Sequence, residues 1–258
     1  MNIIPRSAPA NDATVSAAVF ARQAELAALR EHLAARKSLL LHGPAGVGKT
    51  LLLSVIYPEF RAVLYCPQNA TPQEIYRNLA AALLASGNQT LARTFPGGMV
   101  EAQKKTAVAL RGIVRGILND SNYVIVLDHL VRPSQSVAAS IRELKVNCSV
   151  PVVAVSRSQH MEDAGFVLPL FPERREKLAL RNFDRKTAAE FAARCAQWQG
   201  LAAANLQQFL DAIVDYSDGN PGAIQQMVSL AQQPKYAHGD SVKIAPLYID
   251  YKLTTVNR

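Results

Sequence analysis

The sequence predicts an α/β fold, a parallel five-stranded sheet flanked by helices and followed by a small helical lid domain. Three observations carry this. Five short apolar runs alternate with segments of helical period between residues 20 and 182. A glycine-rich turn, Gly43-Pro44-Ala45-Gly46-Val47-Gly48-Lys49-Thr50, separates the first apolar run from the helix after it. Beyond Asp184 the strand-like runs stop and only helical patterns remain. With 258 residues the chain can bury a sizeable core, and 49% hydrophobic with 19% charged residues is ordinary for a soluble globular protein.

In chain order, residues 1–19 mix Ala, Pro, Ser and Asn without a sustained period and read as a loosely held arm. A helix begins at Phe20, with Leu26, Leu29 and Leu33 at helical spacing on one side. Ser38-Leu39-Leu40-Leu41-His42 is the first strand. The helix after the glycine-rich turn stops at Pro58, and Ala62–Cys66 is a second short strand. Thr71-Pro72-Gln73-Glu74 starts a helix as N-cap, first-turn proline and capping-box glutamate, and Gly87-Asn88 ends it. After a loop with some helix to Gly97-Gly98, a long amphipathic helix is expected over Val100–Asn119, with Ala107, Leu110, Val114, Ile117 and Leu118 as its apolar stripe. Tyr123–Asp128 is the third strand, apolar throughout as a central parallel strand should be. Ser134–Lys145 reads as a helix, Val150–Ser156 as the fourth strand and Lys177–Leu180 as the fifth.

Asp184 caps a helix that carries Phe191 and Trp198. A second covers Leu206–Tyr216, and a third starts at Asn220-Pro221 with Ile224, Met227 and Leu230. The expected organisation is therefore an arm over 1–19, an α/β domain carrying the glycine-rich turn over 20–182, a helical lid over 183–233 and a tail over 234–258, the tail being a docking segment or the remnant of a further element.

The turn carries the chemistry. G-x-x-x-x-G-K-T directly after a strand and opening a helix is a phosphate loop. Gly43, Gly46 and Gly48 allow backbone conformations in which successive N–H groups converge on an anion, and the helix N-terminus adds its positive dipole end. Residues Gly43 through Leu51 would cradle the phosphates, Lys49 would reach the β- and γ-phosphates, and the Thr50 hydroxyl would complete a Mg²⁺ shell. The predicted ligands are ATP or ADP with Mg²⁺. Asp128, ending an apolar strand, faces the crevice where ligands sit in such sheets and suits the Mg²⁺ shell. Ser156 and Arg157, ending the next strand, are placed to contact a γ-phosphate, although a solvated loop arginine accounts for Arg157 as well. Asn69 or Gln68 can position water or Asp128, or serve as turn residues.

These residues resemble the AAA+ and STAND branches of the P-loop ATPases, related to origin-recognition and NB-ARC ATPases, over roughly Phe20–Leu230. Gly43–Thr50 is similar to their Walker A, Tyr123–Asp128 to their Walker B, and Val155-Ser156-Arg157 to their sensor-1 segment. Phe20-Ala21-Arg22-Gln23-Ala24-Glu25-Leu26 resembles the F-x-G-R-x-x-E-L entry that lies over the adenine, with alanine where glycine is usual. Gly219-Asn220-Pro221 resembles the G-x-P motif, which implies that Pro221 packs on the nucleotide from the lid.

Two departures bear on function. The place after Asp128, acidic in most active members, holds His129, whose imidazole, when neutral, could accept a proton. The sensor-2 arginine of AAA+ motors would fall near Gly222, and no arginine is there. The resemblance also implies an arginine finger before the fifth strand, at Arg174 or Arg175, where a solvated basic turn is the ordinary alternative. The expected function is an ATP-binding P-loop protein with slow or partner-stimulated hydrolysis, acting as a nucleotide-dependent conformational and assembly switch.

A formal net charge of +8 favours acidic partners, and Lys104, Arg111 and Arg115 share one flank of the expected long helix. They motivate an alternative, an ATP-dependent DNA-transaction helper of transposition or replication-loading type, though such a flank is more often simply a solvated face. His129 motivates another, a non-hydrolysing nucleotide-binding scaffold. The chain also reads as the ATPase core of a larger switch, since no winged-helix or repeat sensor follows the lid. Expected partners are an ATP-dependent homo-oligomer, DNA on the helper reading, and a protein the sequence does not identify. Cys66, Cys148 and Cys195 form no ligand or disulfide pattern, the five histidines are scattered, no run spans a membrane and no signal-peptide core is seen, so the expected location is cytoplasmic.

Overall fold

The computed structural model describes residues 19–256 apart from 61 and 120, so residues 1–18 of the expected arm lie outside the described residues. The chain forms two compact units. One holds Gln23–Gly43 and Lys49–Leu180; the other holds the described residues up to Arg22, the loop Pro44–Gly48 and the described residues from Arg181 onward.

In the first unit, α1 (Gln23–Ala34) buries Leu26, Leu29 and Leu33. It starts three residues later than the pattern suggests, because Ala21 takes a left-handed conformation at φ 50°, which turns the chain before the helix. That conformation accounts for the glycine usual at this place in the motif. Next come β1 (Leu39–His42), α2 (Lys49–Ile56) and β2 (Val63–Cys66). α3 (Pro72–Ala85) has the expected capping box, the Glu74 amide donating to the Thr71 hydroxyl and the Thr71 amide to the Glu74 carboxylate, both at 3.2 Å.

After the short α4 (Gln89–Thr94), the single long helix expected over 100–119 is two helices, α5 (Met99–Gln103) and α6 (Ala107–Leu118). The break lies at Thr106, whose hydroxyl accepts from the Ala109 amide at 3.3 Å and so caps a new helix. Leu110, Val114 and Leu118 of the stripe are buried.

β3 (Val124–Leu127) leads to α7 (Gln135–Arg142), which continues as one π-helical turn, Glu143–Asn147. The Glu143 side chain is buried and is met by Arg111 at 2.6 Å, Arg115 at 2.9 Å and the Tyr76 hydroxyl at 3.1 Å. Two of the three basic residues read as a solvated or phosphate-tracking flank therefore neutralise a buried carboxylate, as a buried charge requires. β4 (Val152–Ser156), the single turn α8 (Met161–Ala164) and β5 (Lys177–Ala179) complete the unit.

The five strands are parallel in the order β2-β3-β4-β1-β5. Every residue of β3 and β4 is buried, which is why these runs are uninterruptedly apolar, whereas the edge strand β2 alternates. Each fully buried Leu, Ile or Val side chain contributes about 1.5–3 kcal/mol.

The second unit packs α9 (Arg185–Trp198), α10 (Leu206–Ser217) and α11 (Pro221–Ala231) around Phe191, Phe209, Ile213, Ile224 and Met227. Asp184 caps α9 through the Thr187 amide at 2.8 Å. Asp218 and Gly219, both at positive φ, end α10. The stretch read as a tail contributes a two-stranded ribbon, β6 (Ala237–His238) with β7 (Ser241–Val242), and a helix, α12 (Ile244–Val256). Leu247 of α12 is buried in the same core, and Tyr248 stacks on Tyr216 at 4.0 Å. The entry segment joins here too. Phe20 packs on Phe183 and Phe191, with ring centroids 5.9 and 5.3 Å away, and Arg22 lies over the Phe183 ring while donating to the Arg181 carbonyl at 2.7 Å.

Cys66, Cys148 and Cys195 are buried and form no disulfide, and burial pushes their thiols up. No helix of the described residues is long and apolar enough to cross a membrane.

Candidate active site

β1 stops at His42 and α2 begins at Lys49, so the phosphate loop is the whole of the connection. Gly46 and Gly48 sit at φ 78° and 99°, where a side chain is strained. The two positions need glycine for different reasons. A Cβ on Gly48 would meet nothing within 4 Å, so only its conformation matters; one on Gly46 would also lie 2.6 Å from the Asn220 Oδ1.

Lys49 folds its ammonium back to donate to the Gly43 carbonyl at 2.6 Å. Burial pulls its pKa down to about 8. The Asp128 and Asp163 charges raise it and the Arg157 charge lowers it.

Asp128 follows the last residue of β3, and its amide donates to the Cys66 carbonyl at 2.9 Å, extending the β2–β3 pairing by one bond. The residue is 1% exposed. Oδ2 accepts from the Thr50 hydroxyl and the Tyr65 hydroxyl, each at 2.8 Å, and Oδ1 accepts from the His129 amide at 2.8 Å. The Thr50 hydroxyl and the Asp128 carboxylate, expected to share a Mg²⁺ shell, are thus in direct contact, and an all-oxygen pair suits that hard cation. A Mg²⁺ ion held there would neutralise phosphate charge.

His129 has the left-handed conformation at φ 55°, and its side chain is 62% exposed with Nδ1 3.4 Å from Asp128 Oδ2. Asn69 is buried. Its Nδ2 donates to the Cys66 and Asp128 carbonyls, both at 2.9 Å, which fixes the amide orientation and leaves Oδ1 without a partner among the described residues. Ser156 is buried with its hydroxyl donating to the Ser158 carbonyl, and Arg157 is exposed. Arg174 and Arg175 are exposed on a short turn before β5, where Arg175 pairs with Glu173. All of these belong to the sheet unit.

The helical unit holds the loop residues Pro44–Gly48 together with Pro221. Pro221 is buried at the first position of α11, which Asn220 caps through the Ala223 amide at 3.1 Å. The Asn220 Nδ2 donates to the Ala45 carbonyl at 2.8 Å, and the Gly222 amide to the Gly46 carbonyl at 2.9 Å. The start of α11 therefore grips two carbonyls of the phosphate loop.

Sequence reasoning named Asp128 and Thr50 but missed Tyr65, whose only signal was a polar-tipped aromatic one residue before the end of an edge strand. It noted Gly222 as a place without arginine and missed the backbone contact that occupies it.

A family model described as an AAA ATPase domain matches residues 18–153. Among solved structures, the chain is similar to the Walker-type ATPase of Pyrococcus abyssi, with 17% identity over 93% of this chain and 76% of that one and a TM-score of 0.57. Domain III of the replication initiation protein DnaA from Thermotoga maritima gives 16% identity, 93% and 97% coverage and a TM-score of 0.56. The RuvB Holliday junction branch migration motor of the same organism gives 16%, 90%, 67% and 0.51. At these identities the likeness is one of fold. No curated protein matches the chain.

Proposed function

The chain belongs to the AAA ATPase domain family, P-loop proteins that bind and hydrolyse ATP, and from that premise we propose that it is a nucleotide-dependent conformational and assembly switch with slow or partner-stimulated turnover. The observation that carries this reading is the grip of Asn220 and Gly222 on the Ala45 and Gly46 carbonyls. A loop that rearranges around phosphates cannot do so without altering the helix bonded to it, and α11 anchors the helical core.

In this reading the loop amides and Lys49 hold the phosphates, and Thr50 and Asp128 hold Mg²⁺. Arg157 contacts the γ-phosphate and Pro221 packs from the helical side. His129 stands where an acid would polarise water, which keeps turnover slow. Phosphoryl transfer then depends on positioning and charge stabilisation supplied by assembly or a partner. ATP and ADP binding, size-exclusion chromatography and phosphate release on the same samples test this. Larger species with ATP and not with ADP are expected; identical elution in all nucleotide states, with fast turnover by the monomer, would remove the switch.

His129→Glu is expected to raise phosphate release by at least roughly tenfold, since a positioned general base contributes about 10²–10⁴-fold. The substituted position already tolerates a side chain at positive φ, so the fold should hold. An unchanged rate would place the limit on a missing partner or finger instead.

Lys49 gives a pH signature. Its pKa of about 8 lies below the ordinary lysine value of 10.5, so in that window the folded chain binds fewer protons than the unfolded one, and this group's contribution to stability rises with pH. A triphosphate favours the ammonium and raises the pKa again. Nucleotide binding should therefore take up as much as about one proton near pH 9, and affinity should fall as pH climbs past the unliganded value. Calorimetry in buffers of different ionisation enthalpy measures the uptake; zero uptake across that range would contradict Lys49 as the phosphate ligand.

The DNA-helper reading draws on the fold shared with DnaA domain III and RuvB and on the net charge. Steeply salt-dependent, ATP-dependent duplex binding would support it.

A further inference from the structure

We infer that Tyr65 is a positioning residue that holds the Asp128 carboxylate in register for the divalent cation. This rests on the reading of Thr50 and Asp128 as the Mg²⁺ pair, and it adds a residue that no motif contains.

Asp128 is buried, and a buried carboxylate needs a donor for each oxygen. Its three donors among the described residues differ in what a bound cation would ask of them. The His129 amide on Oδ1 is backbone and stays. The Thr50 hydroxyl on Oδ2 belongs to the phosphate-loop helix and is the group whose own oxygen is offered to the ion. Tyr65 is the other hydroxyl donor to Oδ2, at 2.8 Å, and it belongs to β2, outside the phosphate loop. When Thr50 changes partner, the phenol is what keeps Oδ2 from rotating.

The strand geometry makes the contact rigid. Tyr65 pairs with Val126 across the β2–β3 ladder, and the Asp128 amide bonds the Cys66 carbonyl one step further on, so donor and acceptor are carried by the same two paired strands. The Tyr65 ring also stacks on Tyr57, centroids 5.7 Å apart and planes 20° apart, which fixes its direction. A tyrosine phenol ordinarily keeps its proton up to about pH 10, so it is a donor across the physiological range.

Outer-shell partners of this kind typically change metal affinity by about 10–100-fold. Tyr65→Phe keeps the ring and its stack and removes only the donor. With a fluorescent ATP analogue, the Mg²⁺ concentration at which affinity reaches its half-maximal enhancement should rise roughly tenfold in Tyr65→Phe, while affinity in EDTA stays at the wild-type value. Because Tyr65 acts through Asp128, the same substitution in an Asp128→Asn background should give no further shift.

An unchanged Mg²⁺ midpoint, or an equal shift in the Asp128→Asn background, would overturn the inference. A purely structural tyrosine would lower the melting temperature and leave the midpoint where it was. Wild-type protein whose ATP affinity ignores Mg²⁺, or which binds no nucleotide, would defeat the Mg²⁺ reading of Thr50 and Asp128 itself and the Tyr65 role with it. That outcome is visible before any variant is made.

Discussion

Lys49→Ala is expected to lower phosphate release by roughly 10²–10³-fold and to weaken ATP binding with it, the scale found when a preorganised charge or donor is removed from a developing anion. The structure sharpens what kind of loss this is. The ammonium lies where burial pulls its pKa down to about 8, donating to the Gly43 carbonyl across its own loop. A triphosphate brings anionic charge to a site that disfavours the cation alone, so the interaction is strongest when the ligand is present. Removing the side chain should then leave the unliganded protein as stable as before, or more so, because a poorly solvated charge is gone. Melting curves and nucleotide titration on one preparation separate the two effects. A Lys49→Ala protein that binds ATP as tightly as the wild type would sink the phosphate-loop assignment. One that fails to fold would show that Lys49 is needed for structure, contrary to its pKa.

What could be read from the sequence was whatever is local. The phosphate loop, the Thr71 and Asp184 caps and the apolar runs of β3 and β4 depend on residues within a few positions of one another or on burial from both faces. Asp128 stood out because a carboxylate that closes a strand buried on both faces needs partners, which Thr50, Tyr65 and the His129 amide supply. One misreading is local, a cap hidden under a continuous stripe, and the other two come from contacts across long separations. The stripe through Leu110, Val114 and Leu118 continues in helical register from Val100, so periodicity alone joins two helices that the Thr106 cap divides. Arg111 and Arg115 look like a solvated or DNA-facing flank until Glu143 appears beside them, and nothing in a helix pattern says that a glutamate further along will be buried. Tyr65 and Asp128 are 63 residues apart. Their contact follows from the sheet order β2-β3, which alternating strands and helices do not specify.

Gly222→Arg, which would supply the arginine that the motors of this family carry near that place, is expected to destabilise the protein instead of accelerating it. The obstacle is the first atom of the side chain. A Cβ at 222 would stand 2.7 Å from the Gly46 carbonyl oxygen and 2.9 Å from its Cα. Those are backbone atoms and cannot swing aside. The start of α11 would have to withdraw, losing the Gly222 amide bond to Gly46 and, with it, the Asn220 bond to Ala45. Overpacking costs about 1–3 kcal/mol and each lost hydrogen bond about 0.5–1.5 kcal/mol, enough to lower the melting temperature by roughly 5–10 °C in a chain of this size.

Gly222→Ala isolates the cause, since it adds the Cβ without the guanidinium. Equal losses in both variants place the conflict at the backbone, and loss of ATP-dependent assembly in both would tie the grip of α11 on the loop to the switch. Gly46→Ala attacks the same junction from the other side. Its Cβ would meet an Asn220 held by bonds to Ala45, Asn182 and Ala223, with the added strain of a side chain at φ 78°. If instead Gly222→Arg melts like the wild type and releases phosphate faster, the absent arginine was a simple gap. The chain would then be a slowed motor, and the contact between α11 and the phosphate loop would have no part in its cycle.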